Sequence, residues 1–143
     1  MKTFSRFRLL PLLALVLAAG CSDLGIDSGA SEVTGLTIED GSGNALVTVN
    51  ASGSVNGTLT VPRNQTRSLR VVLRGPGGTV TPGITESIRV TTTNSVVAQW
   101  TETGEGTGTL RGGTAAGTTN LRVDLISAGA TAYTSPAITV QVT

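Results

Sequence analysis

Ser68-Leu69-Arg70-Val71-Val72-Leu73-Arg74 admits two readings, and the choice between them decides the fold. Arg63, Arg67, Arg70 and Arg74 recur 4, 3 and 4 residues apart, the spacing that lines up one face of a helix. Leu69, Val71 and Leu73 alternate with period two, which lines up one face of a strand. The apolar set is the one that burial acts on, adjacent Val71 and Val72 favour the pleated backbone, and Gly75-Pro76-Gly77-Gly78 stops the run. The stretch is therefore read as a half-buried strand, with Arg70 and Arg74 turned outward.

The same texture extends in both directions. Thr34–Glu39, Ala45–Asn50, Gly57–Val61, Ser87–Thr92, Val96–Thr101, Thr107–Arg111, Asn120–Ile126 and Ala137–Thr143 are short apolar/polar alternations separated by Gly, Asn, Asp, Ser and Pro. After residue 21 no window carries a sustained helical stripe. Strands at this spacing predict an all-β fold, an antiparallel β-sandwich of about seven to nine short strands.

Ahead of the strands lies a different kind of segment. Lys2, Arg6 and Arg8 precede the apolar run Leu9–Leu17, and Ala18-Ala19-Gly20 supplies small residues before Cys21. Charged start, short apolar centre and small-residue end are the layout of an export signal, and the run is too short for a membrane-spanning helix. Residues 1–20 are read as a cleaved signal, with cleavage between Gly20 and Cys21. Ser22–Ser31 is polar and rich in Gly and Ser, so residues 21–32 read as a flexible tether before a domain at 33–143.

Leu17-Ala18-Ala19-Gly20-Cys21 resembles the lipobox of bacterial lipoproteins. The resemblance implies that Cys21 becomes the new N-terminus, carrying a diacylglycerol and usually a third acyl chain. Several chains together give stable membrane anchoring where one does not. Ser22 in the next position implies the outer membrane rather than retention at the inner one.

Removal of residues 1–20 changes the composition that matters. Seven arginines then face nine acidic side chains, a balance of −2 in place of the +1 of the whole chain, and no basic footprint for nucleic acid remains. The sequence has no His, its only Lys is Lys2, and its only Cys is Cys21. Serine–histidine and serine–lysine catalysis are thereby excluded, and so is an internal disulfide. Glu102 and Glu105 share the loop ending at Gly108 and are the remaining carboxylate pair for a hydrolase, although solvated turn charges explain them more simply. Asp40-x-Ser42-x-Asn44 starts like a calcium loop, but Ala51 stands where the closing acid belongs, and a hairpin turn accounts for it. The Gly-rich stretches at 75–78 and 104–108 have neither the following helix nor the Lys of a phosphate cradle. No metal site and no cofactor are expected.

Thr58–Thr143 is similar to a bacterial immunoglobulin-like domain of the group 2 type. Leu59-Thr60-Val61, then Asn64-Gln65-Thr66 and Leu69-Arg70-Val71, resembles its opening strand, turn and second strand. Thr91 to Trp100, Leu110 to Val123, and Ile138 to Val142 resemble its centre, its penultimate strand and its last strand. The resemblance implies an immunoglobulin-like sandwich of the kind found in surface and adhesion proteins, with residues 33–56 as an added N-terminal hairpin. That family often has a Trp where this chain has Val90, so Trp100 is expected to plug the core from a neighbouring strand.

What remains for function is the surface. Arg70, Arg74, Arg89 and Arg122 fall on outward faces, where they suit carboxylate or phosphate groups, or serve simply to keep the surface solvated. Tyr133, read as lying in the polar turn before Ser135-Pro136, is the aromatic expected to be exposed. The reading is a non-enzymatic binding or structural module of the cell envelope. Its partners are the membrane, through Cys21, and an envelope protein or, alternatively, a carbohydrate or peptidoglycan.

Overall fold

Leu69, Val71 and Leu73 are buried and Arg70 is exposed, so the deciding stretch is a strand. It lies within β5, Thr66–Gly75, in a computed structural model that describes residues 31–143. The expected export signal, Cys21 and the expected tether as far as Ala30 fall outside the described residues. Four strands precede β5: β1 (Gly35–Asp40), β2 (Ala45–Val49), β3 (Val55–Asn56) and β4 (Leu59–Val61). After it come β6 (Gly78–Val80), β7 (Glu86–Thr92), β8 (Ala98–Gly104), β9 (Thr107–Gly112), β10 (Gly117–Ser127), β11 (Ala130–Thr134) and β12 (Ile138–Val142).

Two sheets form. The first runs β3-β2-β1-β5-β9-β8, with β6 sharing the β9 edge of β5. The second runs β11-β10-β12-β4, with β7 on the other edge of β10. Without the short additions, the orders are β1-β5-β9-β8 and β7-β10-β12, those of an immunoglobulin-like sandwich. All pairings between these strands are antiparallel except β4 on β12, whose Leu59 aligns with Val140.

The hairpin at 33–56 is built into this arrangement. β1 pairs along β5 from Gly35↔Arg74 to Asp40↔Leu69, and Leu36, Ile38, Val47 and Val49 join the same core as the rest. The core also holds Leu59, Val61, Leu110, Leu121, Val123, Leu125, Ile138 and Val140, each at most 1% exposed. Each such side chain contributes roughly 1.5–3 kcal/mol of burial, and together they hold the sheets face to face without a disulfide.

Nine strands were expected and all are present with shifted ends; β3, β6 and β11 are additional. Each follows a tight turn that the sequence shows only as punctuation. Gly75 pairs with Gly78 around Pro76-Gly77, and Ser127 with Ala130 around Ala128-Gly129. Ala128 and Gly129 both have positive φ (48° and 82°), the backbone of a two-residue hairpin whose usual sequence is Asn-Gly. β2 reaches β3 through Asn50–Ser54, a copy of the Asp40–Asn44 turn. In both, the first side chain accepts backbone N–H groups two and four residues on, and a positive-φ glycine (Gly43, Gly53) closes the loop.

Tyr133 is a correction. It stands in β11 opposite Leu125, facing inward and packed against the core, not in an exposed turn. Burial pushes its phenol above the ordinary value. Trp100 is on the inner face as expected, but half-buried. Its indole crosses Gly108, where any Cβ would collide with the ring, and its Nε1 is buried without a partner among the described residues.

Candidate functional site

Period two puts Glu39 on the outer face of β1, directly across from Arg70 of β5. Arg70 donates to Glu39 Oε2 from Nε at 3.2 Å and from Nη2 at 2.5 Å. Arg74 Nη2 lies 3.9 Å from Oε1, while its Nη1 donates to Thr79 Oγ1 at 2.7 Å. The glutamate side chain is 11% exposed under arginines that are 57% and 43% exposed. Removing both arginines would leave a nearly buried carboxylate uncompensated. Arg70 also lines an open cavity of about 560 Å³, together with the hydroxyls of Ser68, Thr107 and Thr109 and the Asp40–Gly43 turn.

That turn is closed on itself. Asp40 Oδ1 accepts from Asn44 N–H at 3.0 Å and from Ser42 N–H at 2.8 Å, and the Asn44 amide donates to both oxygens. These donors, those of Asn44 foremost, hold the carboxyl below its ordinary value. Its oxygens serve the hairpin. Among the described residues no three His, Cys, Asp or Glu side chains gather where they would hold a metal ion.

The second sheet carries a parallel device on its own outer face. Asp124 of β10 sits between Arg89 of β7 and Thr134 of β11. Arg89 donates to Oδ2 from Nη2 at 2.9 Å and from Nε at 3.3 Å, and Thr134 Oγ1 donates to Oδ1 at 2.8 Å. Arg122, two residues along β10, is exposed opposite Thr91. The structure thus brings Arg70 and Arg74 together and puts Arg89 and Arg122 on the opposite side of the sandwich. Three of the four are matched to a nearly buried acid.

Glu102 and Glu105 have separate places. Glu102 is an exposed β8 residue opposite Gly108. Glu105 occupies the β8–β9 turn and accepts the Ile88 N–H at 2.5 Å, crossing from the first sheet to the outer edge of β7. Its carboxylate covers a strand edge that would otherwise be open to another chain.

Two ends of the sandwich went unnoticed in the sequence. At one end Glu86, the first residue of β7, clasps the incoming chain. Its Oε1 accepts the Ser31 N–H at 2.6 Å, and its Oε2 accepts the Ser31 hydroxyl at 2.6 Å and the Gly83 N–H at 2.7 Å. The Gly83 and Ser31 donors hold its carboxyl below the ordinary value. At the other end the β4–β5, β7–β8 and β9–β10 loops meet: Asn64 N–H donates to Gly113 O, and Gly113 N–H to Val97 O. Arg111, at the end of β9, faces an open cavity of about 280 Å³ there. Acid–arginine spacing across strands gives no local signal, because the partners lie tens of residues apart.

No family model matches the chain, and no curated protein matches it significantly. Among solved structures it is similar to domains 4 and 5 of the S-layer protein SbsC, at TM-score 0.46 and 19% identity, covering 61% of this chain and 47% of that one. It is similar to the ZirS C-terminal domain at TM-score 0.42 and 10% identity, over 100% of this chain and 87% of that one. It is similar to FdeC, an Escherichia coli adhesin, at TM-score 0.39 and 22% identity, over 80% of this chain and 32% of that one. The chain spans about half of the SbsC fragment and a third of the FdeC chain. These likenesses are distant. The immunoglobulin-like assignment stands on strand order.

Proposed function

We propose that this chain is an exported, non-enzymatic module of the cell envelope. It is anchored by lipid on Cys21, on the outer membrane, and acts by binding or as a structural element. The observation that carries the reading is the clasp of Ser31 by Glu86. It holds Ser31, the first of the described residues, at the end of the sandwich opposite the β4–β5, β7–β8 and β9–β10 loops. The absence of His, and of any Lys after Lys2, supports a non-catalytic role. So does the engagement of Glu39 and Asp124 by arginine, and of Asp40, Glu86 and Glu105 by backbone N–H groups. In cells, Cys21→Ser should move the protein from the detergent phase to the aqueous phase; unchanged partitioning sinks the anchor. Crosslinking of intact cells should then capture one defined envelope protein, and recovery of the lipoprotein alone would count against a binding role.

The hydroxyl-lined cavity beside Arg70 supports a second reading, contact with envelope glycan. Under it, the chain sediments with cell-wall material, and the Arg70→Ala/Arg74→Ala pair reduces sedimentation. A double variant that sediments as before removes this reading.

A further inference from the structure

We infer that the cleft at the far end, centred on Arg111, is a binding site for a carboxylate group. The inference does not rest on the lipid anchor. Arg111 belongs to the outer face of β9, flanked by Gln99 of β8 and Thr66 of β5 in register. Its side chain lines a cavity of about 280 Å³ with Gln99, Asn64, Ser95, Thr114 and Gly113. Every side chain in that set is neutral apart from the arginine. The loops that build the end, Pro62–Gln65, Thr93–Val97 and Gly113–Ala116, contain Arg63 and no acidic side chain.

Among the described residues Arg111 differs from the ion-paired arginines in having no acid, and from the other arginines without an ion pair, Arg63, Arg67 and Arg122, in lining this cleft. Arg70, Arg74 and Arg89 each lie within ion-pair distance of Glu39 or Asp124, whereas no ion pair reaches Arg111 among the described residues. Its planar fork of donors therefore stands beside an open cavity with amide and hydroxyl groups around it. A carboxylate fits this set: the guanidinium takes two oxygens side by side, and neighbouring amides and hydroxyls bind the flanking polar atoms. Gly113 lets the β9–β10 loop lie against the β7–β8 loop beside the cleft, since a Cβ there would collide with the Val96 carbonyl. A carboxylate at this end has two envelope sources, the free C-terminus of a short peptide and a sugar acid.

The test uses the purified full-length chain in detergent and follows the amide resonances of Gly112, Gly113 and Thr114. The probes are N-acetyl-alanyl-alanine, its C-terminal amide, and glucuronate, each at roughly millimolar concentration. The peptide acid, the sugar acid or both should shift those resonances, which identifies the source, and the amide should not. Arg111→Gln should weaken the response about tenfold or more, the loss expected for a charge-assisted pair. No shift with either acid, an equal shift with the amide, or an unaltered response in Arg111→Gln overturns the site. An intact spectrum for Arg111→Gln, whose side chain is exposed, shows that the loss is not unfolding.

Discussion

The two ends of the sandwich handle charge in opposite ways. At one end a carboxylate, Glu86, is saturated by Ser31 and Gly83 and holds Ser31 in place. At the far end a guanidinium, Arg111, stands beside a cavity with no acid in its lining. Between them, the acids of the two outer faces are matched: Glu39 by Arg70 and Arg74, Asp124 by Arg89 and Thr134. Satisfied charge marks the parts of the molecule that hold position. Arg111, without an ion pair and beside a cleft, marks the part left to meet something else.

The largest expected effect on that comparison is at the far end. Gly113→Ala places a methyl group against the Val96 and Val97 carbonyls, so the loops must part. Denaturant unfolding should show a loss of about 2–4 kcal/mol, in the range of overpacking and loop strain. Full stability would mean the end is looser than described. At the other end, Glu86→Gln weakens the clasp and should cost about 1 kcal/mol, a charged hydrogen-bond contribution discounted for exposure. Amide exchange of Ser31 and Glu32 should quicken, while that of Gly113 is unchanged.

Acid separates the ends without mutation. The folded value of Glu86 lies below 4.5, so its contribution is complete above that pH and is lost as pH falls through the lowered value. Asp40 follows the same sign from 3.8 and loosens the β1–β2 turn. Exchange protection at Ser31 should therefore fall in acid before that of the far-end loops, which hold no acidic side chain. The smallest effect is Arg111→Gln, within about 0.5 kcal/mol of the parent in stability, as for a surface residue without a partner. A larger loss would make it a structural arginine.

Much of the fold was legible because burial acts on alternation. Leu69, Val71 and Leu73, and likewise Leu121, Val123 and Leu125, announce their faces locally, and the sandwich follows from repeating that pattern. The missing strands were illegible for a local reason too. β11 starts after Ala128, an alanine in a conformation normally left to Asn or Gly, and its sequence Ala-Thr-Ala-Tyr-Thr offers one large side chain to pack. Tyr133 was misplaced along with it. The charge pairs were hidden by distance: Glu39 meets Arg70 across 31 residues, and Arg89 meets Asp124 across 35. Arg111 carried no signal at all, since what distinguishes it is a cleft built with Asn64, Ser95 and Thr114 from loops distant in sequence.

The most direct test of the two-ended account measures which end faces the membrane. Under the proposed acylation of Cys21, Ala130→Cys at the Glu86 end or Ala115→Cys at the far end provides a single free thiol for a spin label. The ends are separated by about 35 Å, the length of an 11-residue strand such as β10. With the chain anchored in vesicles containing a nickel-chelating lipid, the label at residue 130 should relax fast and the label at 115 slowly. Equal relaxation at the two positions, or faster relaxation at 115, would contradict the account.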